Sequence, residues 1–159
     1  MQALDAASGE QIWKTYTVQK EAQATYENEV GTQMFGPSGS PIWNSPTVDI
    51  KRNVLYAGTG ENYSSPADDS SDAIHAFDMT TGKLKWRQQV TQNDAWNMMC
   101  ETEEKIGCPE EDGPDYDFAA SPILMNLSNG LQNTEGRGIF SLLQKYMYDS
   151  SSLHSAAPI

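Results

Sequence analysis

Apolar residues in this chain recur at every second position in short runs that end at turn residues, a pattern that predicts strands joined by hairpins rather than helices. Ile74, Ala76 and Phe77 lead into Asp78, and after Gly82 the residues Leu84 and Trp86 alternate with Lys83, Lys85 and Arg87. That alternation predicts a strand with one buried and one wet face. Asp78 can accept hydrogen bonds from the turn amides, and Gly82 can supply the positive φ that a tight hairpin loop needs. NVLYAGTG (53–60) predicts another buried strand, and SPIWNSPTVDI (40–50) one more. The best helix candidate, KEAQATYENEV (20–30), is short and mostly polar, so a solvated loop with one helical turn is expected there.

The hairpin occurs twice. LDAASGEQIWK (4–14) and FDMTTGKLKWR (77–87) both read apolar-Asp-x-x-(Ser/Thr)-Gly-x-x-x-Trp-(Lys/Arg), with an offset of 73 residues from 4 to 77. A weaker echo pairs Ser45-Pro46-Thr47-Val48 with Ser121-Pro122-Ile123-Leu124. Repeated Trp-bearing hairpins predict an all-β fold, a partial β-propeller whose blades pack face to face. The offset exceeds a bare blade of about 40–50 residues, so long loops are expected at 19–39, 61–71 and 91–118. Such loops on a rigid sheet are where ligand chemistry usually sits. The pattern stops near residue 130, which predicts about two blades over 1–130 and a divergent or disordered tail over 131–159. The chain is expected to be a piece of something larger, because so short a stack cannot bury both of its faces.

Composition narrows the function classes. The chain has 159 residues, with 22 Asp+Glu against 10 Lys+Arg and a formal charge of -12. So acidic a surface argues against nucleic acid as a partner, since that affinity comes mainly from Lys and Arg neutralising phosphates. No apolar run approaches the ~18 residues of a membrane span, and MQALDAASGE carries no basic-then-apolar leader pattern. Cys100 and Cys108 are far in sequence from His75 and His154, so local spacing offers no four-ligand zinc site. Spacing alone leaves a disulfide and two free thiols equally open. Gly36-Pro37-Ser38-Gly39-Ser40 misses the nucleophile elbow of serine hydrolases. The acidic stretch from Asp94 to Asp117 does not follow the EF-hand spacing and reads mostly as a solvated loop. Trp13 and Trp86 are expected to pack blades, Trp43 and Trp96 to fill core or wall a planar cofactor, and His75 to be packed within its strand.

Several motifs together resemble a known family. The Asp-x-x-(Ser/Thr)-Gly-x-x-x-Trp unit is similar to the tryptophan-docking motif of quinoprotein dehydrogenases, eight-bladed propellers that hold pyrroloquinoline quinone (PQQ). GPSGSPIWNSPTVD, VLYAGTGENYSSP, SDAIHAFDMTTGKLKW, TQNDAWNMMC and CPEEDGPDYDFAASPIL, in this order, resemble the polyvinyl-alcohol dehydrogenase branch. The resemblance implies oxidation of a small or polymeric alcohol: a carboxylate takes the alcohol proton, hydride passes to PQQ, and Ca²⁺ polarises the quinone. It further implies a periplasmic location, haem c in the full-length protein and a cytochrome-type electron acceptor.

Residue by residue, the resemblance places Gly58, Thr59, Gly60 and Trp96 at the cofactor. Glu61 takes the slot where many members have a calcium-ligating Asn, with Asn62 as the second choice. In many members the catalytic Asp follows a Trp and begins Asp-Tyr-Asp. Here Asn97 follows Trp96, and an inserted stretch with both cysteines precedes Asp115-Tyr116-Asp117. Asp115 is therefore the expected base, with Asp117 behind it, and a Cys100–Cys108 bridge would tie down the insertion. The family's earlier calcium-ligating glutamate and its Cys-x-x-Cys-His haem motif have no counterpart in this sequence, so the segment alone is expected to be inactive. The alternative expectation is a non-catalytic propeller scaffold, like those of outer-membrane assembly factors.

Overall fold

The computed structural model describes residues 1–126, 137–140, 142–145 and 154–155. Its centre is a four-stranded antiparallel sheet built from β6 (Thr47–Asp49), β7 (Val54–Gly58), β9 (Ala73–Asp78) and β10 (Leu84–Gln89), in the spatial order β10-β9-β7-β6. Within this sheet each strand pairs with the next of its members along the chain, as in one propeller blade, although the short β8 (Asn62–Ser64) of another sheet intervenes between β7 and β9. Val54, Tyr56, Ile74 and Ala76 form its apolar core with Phe118, and Trp86, Tyr116 and Leu124 pack against them. β9 is buried along nearly its whole length, Phe77 included. Full burial of a side chain such as Phe77 contributes about 1.5–3 kcal/mol.

β1 (Gln2–Leu4) and β2 (Gln11–Lys14) form the hairpin that repeats β9–β10. Both copies build the same turn. Asp5 Oδ1 accepts from the amides of Ala7 and Ser8 at 2.9 and 2.7 Å, and Asp78 Oδ1 accepts from Thr80 and Thr81 at 3.0 and 2.9 Å. These amide bonds hold both carboxyls below the usual range. Gly9 and Gly82 follow at φ 75° and 70°. The two hairpins interlock through Trp13, whose ring lies where a Cβ on Gly82 would stand. Its indole Nε1 donates to Met79 O at 2.9 Å, and Thr15 Oγ1 donates to Gly82 O at 2.6 Å. Trp86 packs inside its own sheet, 5.8 Å from the Tyr56 ring.

The Ser-Pro echo is also structural. β12 (Ile123–Asn126) lies beside β6, with Thr47 Oγ1 hydrogen-bonded to Pro122 O. Further pairing joins β12 to β13 (Arg137–Phe140), and β11 (Tyr116–Asp117) to β14 (Leu142–Lys145), which pairs β15 (His154–Ser155). The expectation of a divergent or disordered tail over 131–159 falls mostly outside the described residues.

Two local expectations need correction. Residues 20–30 form no helical turn; they hold β3 (Gln23–Glu27), which pairs with β4 (Gln33–Gly36). Asn28 Oδ1 closes that turn by accepting from Val30 and Thr32, with Gly31 at φ 77°. Thr25 and Tyr26 suit an extended backbone, and a polar sequence suits a hairpin wet on most sides. The strand expected over 40–50 is confined to Thr47–Asp49. Before it, Ser40 adopts φ 51° and Pro41 lacks an amide donor, so no ladder can form there. β5 (Ser38–Gly39) instead pairs with β8 (Asn62–Ser64), which brings the 38–44 loop over the end of β7.

Candidate active site

The site lies beyond the end of β7, where the chain leaves Gly58 and passes through Thr59, Gly60 and Glu61. Thr59 is fully buried; its hydroxyl donates to Ser70 O at 2.7 Å and accepts from Ala73 N at 3.1 Å. Its role is to clamp the strand end to the 68–73 loop. The glycines allow close approach: a Cβ on Gly58 would strike Phe118, and one on Gly60 would strike Asp117 Oδ1. Asp117 Oδ1 accepts from the Glu61 amide at 3.0 Å.

Glu61, Asp115 and Asp117 converge here. All three are buried, each with a carboxylate oxygen within 4.8 Å of the others. Burial, followed by a shared proton and repulsion with Asp117, pushes Glu61 up to about 9. Burial also raises Asp117, while hydrogen bonds from Glu61 hold it down in part. Three buried like charges need a proton or a cation among them. An all-oxygen, all-carboxylate set is what a hard cation such as Ca²⁺ selects, so the residues present fit that ion.

Pro41, Trp43, Glu61, Tyr63, Trp96, Asn97, Met98 and Asp117 line a cavity of about 380 Å³ beside the cluster. It has two tryptophans for a planar ring and two acids at its wall. Asp117 rather than Asp115 reaches this lining. Of the four residues expected at the cofactor, Trp96 lines the cavity, whereas Gly58, Thr59 and Gly60 shape the backbone behind it. Asn62 is fully buried and its amide is engaged: Oδ1 accepts from Asp68 N at 2.7 Å, and Nδ2 donates to Ser38 O and Ser40 Oγ.

The cavity wall from Trp96 to Met98 leads into the inserted stretch. Cys100 and Cys108 are joined in a disulfide. Asn97 caps the short 3-10 helix Met98–Glu101 and donates to Tyr63 O and Gly107 O, both at 3.0 Å. Asn97 thus ties the insertion to β8.

Behind the cluster lie two further acids: Asp94, which opens the stretch expected to be a solvated loop, and Asp72, which was expected at no site. Asp72 and Asp94 are fully buried. Burial, then the charge of Asp94, pushes Asp72 up to about 9, and burial raises Asp94 to about 6. Neither Asp72 oxygen meets a hydrogen-bond donor among the described residues. The available signal was Asp72 at φ 47°, but a left-handed Asp cannot be read from sequence. His75, as expected, is packed: it is fully buried, contacts Phe77, and bonds Ser70 O through Nε2 at 2.9 Å. Burial lowers it to about 4, so it is neutral near pH 7.

Residues 1–104 match the family described as glucose/ethanol/alcohol dehydrogenase, beta-propeller domain, of the PQQ type. The chain belongs to this PQQ dehydrogenase family. Over 130 residues it is 44% identical to a polyvinylalcohol dehydrogenase of Pseudomonas sp, covering 82% of this chain and 20% of that protein. Its identity to the polyvinylalcohol dehydrogenase of Sphingopyxis sp. (strain 113P3) is 39%, covering 80% and 20%. It is 30% identical to the quinohemoprotein alcohol dehydrogenase of Comamonas testosteroni over 60% of this chain and 16% of that one. The crystal structure of the Comamonas enzyme covers 89% of this chain, and this chain spans 21% of it, with a TM-score of 0.54 at 24% identity. That likeness shows the fold, a portion of a quinoprotein β-propeller. The chain spans about a fifth of the length of the two polyvinylalcohol dehydrogenases.

Proposed function

We propose that this chain is a segment of a PQQ- and calcium-dependent alcohol dehydrogenase of the polyvinyl-alcohol type. The supporting observation is the Glu61–Asp115–Asp117 carboxylate cluster at the wall of a cavity flanked by Trp43 and Trp96. Glu61, Asp115 and Asp117 would hold the cation, and the two tryptophans would flank the quinone. When bound, PQQ supplies the two-electron acceptor and Ca²⁺ the Lewis acid that polarises it.

The chain's own residues supply position and proton handling. Asp117 Oδ1 is held by the Glu61 amide, which would fix this carboxylate at the cavity wall, where it would receive the proton of an alcohol. Asp115 was the base expected from sequence; Asp117 is the better candidate because it lines the cavity. With its pKa raised to about 9, Glu61 would have to give up a proton to hold a cation, so affinity should rise with pH. Pro41, Trp96 and Met98 give one side of the cavity an apolar lining. Haem c, a cytochrome-type acceptor and a periplasmic location of the complete protein are proposed from the resemblance of the motifs, and the quinohemoprotein relatives support the haem. No helix among the described residues is long and apolar enough to cross a membrane.

The test uses the complete protein that carries this segment, reconstituted with PQQ and Ca²⁺ and given polyvinyl alcohol or a short secondary alcohol with a dye acceptor. Alcohol-dependent dye reduction is expected, falling at least 100-fold in Asp117→Asn, within the usual contribution of a general base. Absence of both PQQ binding and turnover would overturn the proposal.

A further inference from the structure

We infer that Asp94 is a positioning residue for the acid cluster: its side chain is the seat of the Gly113–Tyr116 turn and, through that turn, sets Asp115 and Asp117 against Glu61. The inference rests on the calcium-site reading above. Asp94 is fully buried between the two segments that must be aligned. The next residue, Ala95, makes parallel bridges to Asn62 on one side and to Asp112 on the other. Ala95 N donates to Glu111 O at 3.0 Å and Trp96 N to Asn62 O at 2.8 Å. Asp94 therefore stands at the join between β8, which begins directly after Glu61, and the segment leading to Asp115.

Its carboxylate occupies the place a side chain on Gly113 would take, so a Cβ there would overlap Oδ1 and Cγ. Two residues later, Asp115 adopts φ 55°, a left-handed conformation that is strained for a non-glycine residue. Successive amides around a left-handed residue form a small concavity for an anion. The Asp115 and Tyr116 amides face the Asp94 carboxylate. They partly offset the effect of its burial, without closing to full hydrogen bonds. The turn runs directly into Asp117, whose Oδ1 is fixed by the Glu61 amide. The cluster is thus pinned at two points, by the Glu61 backbone on one side and by Asp94 on the other.

Outer partners of metal ligands typically carry 10–100-fold in affinity. In the complete enzyme, Asp94→Ala should weaken Ca²⁺ binding by calorimetry roughly 10–100-fold and lower kcat with little change in KM for the alcohol. Asp94→Asn keeps an oxygen facing the two amides and should recover much of the loss. Gly113→Ala, which displaces the carboxylate, should mimic Asp94→Ala, and adding it to Asp94→Ala should cost little more. If Asp94→Ala does not fold, Asp94→Asn and Gly113→Ala carry the test. Ca²⁺ affinity within twofold of the unaltered enzyme in Asp94→Ala or Gly113→Ala would overturn the inference, even with a lowered Tm. So would independent addition of the two losses. If Glu61→Gln abolishes Ca²⁺ binding while Asp94→Ala does not weaken it, the function proposed above stands and this inference falls. An unaltered enzyme that binds no Ca²⁺ removes both.

Discussion

Gly60 and Asp117 show how much of this site depends on one missing methyl group. Gly60 has no positive φ, so alanine there is allowed by the backbone and excluded only by the Asp117 carboxylate. Gly60→Ala should therefore weaken Ca²⁺ binding about tenfold or more in the complete enzyme while lowering Tm only modestly, measured by calorimetry and thermal melts. Asp72 makes a different prediction. Its folded pKa lies near 9, far above the 3.8 of an unperturbed Asp. Its contribution to stability is fully present below pH 3.8 and is lost as pH rises toward 9, because the unfolded chain ionises and the folded one resists. In metal-free protein, Asp72→Asn should match the unaltered protein near pH 4 and exceed it by a few kcal/mol near pH 8. Denaturant melts at the two pH values check this; a difference independent of pH would refute the assignment.

The docking hairpin was legible as an element because its parts are local. Asp78, Gly82 and the alternation of Leu84 and Trp86 each act within a few residues, and the turn bonds form as those residue types dictate. What Trp13 docks against was not legible, since Met79 and Gly82 lie a full repeat away. Trp13→Ala should cost about 2–4 kcal/mol of stability and Trp13→Phe about 1–2 kcal/mol, the latter losing mainly the indole bond. Reversible chemical denaturation would test both. The inserted stretch behaves as an element of its own, closed by Cys100–Cys108 and anchored by Asn97. Its reduction, or Cys100→Ser with Cys108→Ser, should weaken PQQ binding several-fold through the Trp96–Met98 wall, read as quenching of tryptophan fluorescence on titration with PQQ. Unchanged PQQ affinity would separate the insertion from the cofactor. The 20–30 segment shows the opposite failing: weak helical periodicity lost to a polar hairpin whose partner strand decides its conformation.

For the molecule as a whole, the four-stranded sheet and the smaller pairings around it leave Ile12, Phe35, Ile50 and Ile123 each more than half exposed. In a ring of blades such residues are candidates for contact with neighbours, as Trp13 and Thr47 already are. The 159-residue chain alone should bind a hydrophobic dye and unfold with a shallower transition than the complete protein. A dye-free, sharp two-state transition would show that the segment is self-sufficient. The exposed rim of Trp43, Tyr63 and Met98 needs no such neighbour to act, because it borders the cavity itself.

Taken alone, the sequence determined the repeated turn, the all-β character, the family motifs and the identity of the acids, because each rests on residue type at short separation. Tertiary structure alone decided that Asp117 reaches the cavity, that Glu61 lies beside it 56 residues away in the chain, and that Asp72 and Asp94 are buried behind them. The physical reason is that charge, burial and cavity walls depend on distances between segments. Those distances are set when the sheet, the disulfide-closed insertion and the Trp13 dock pack together.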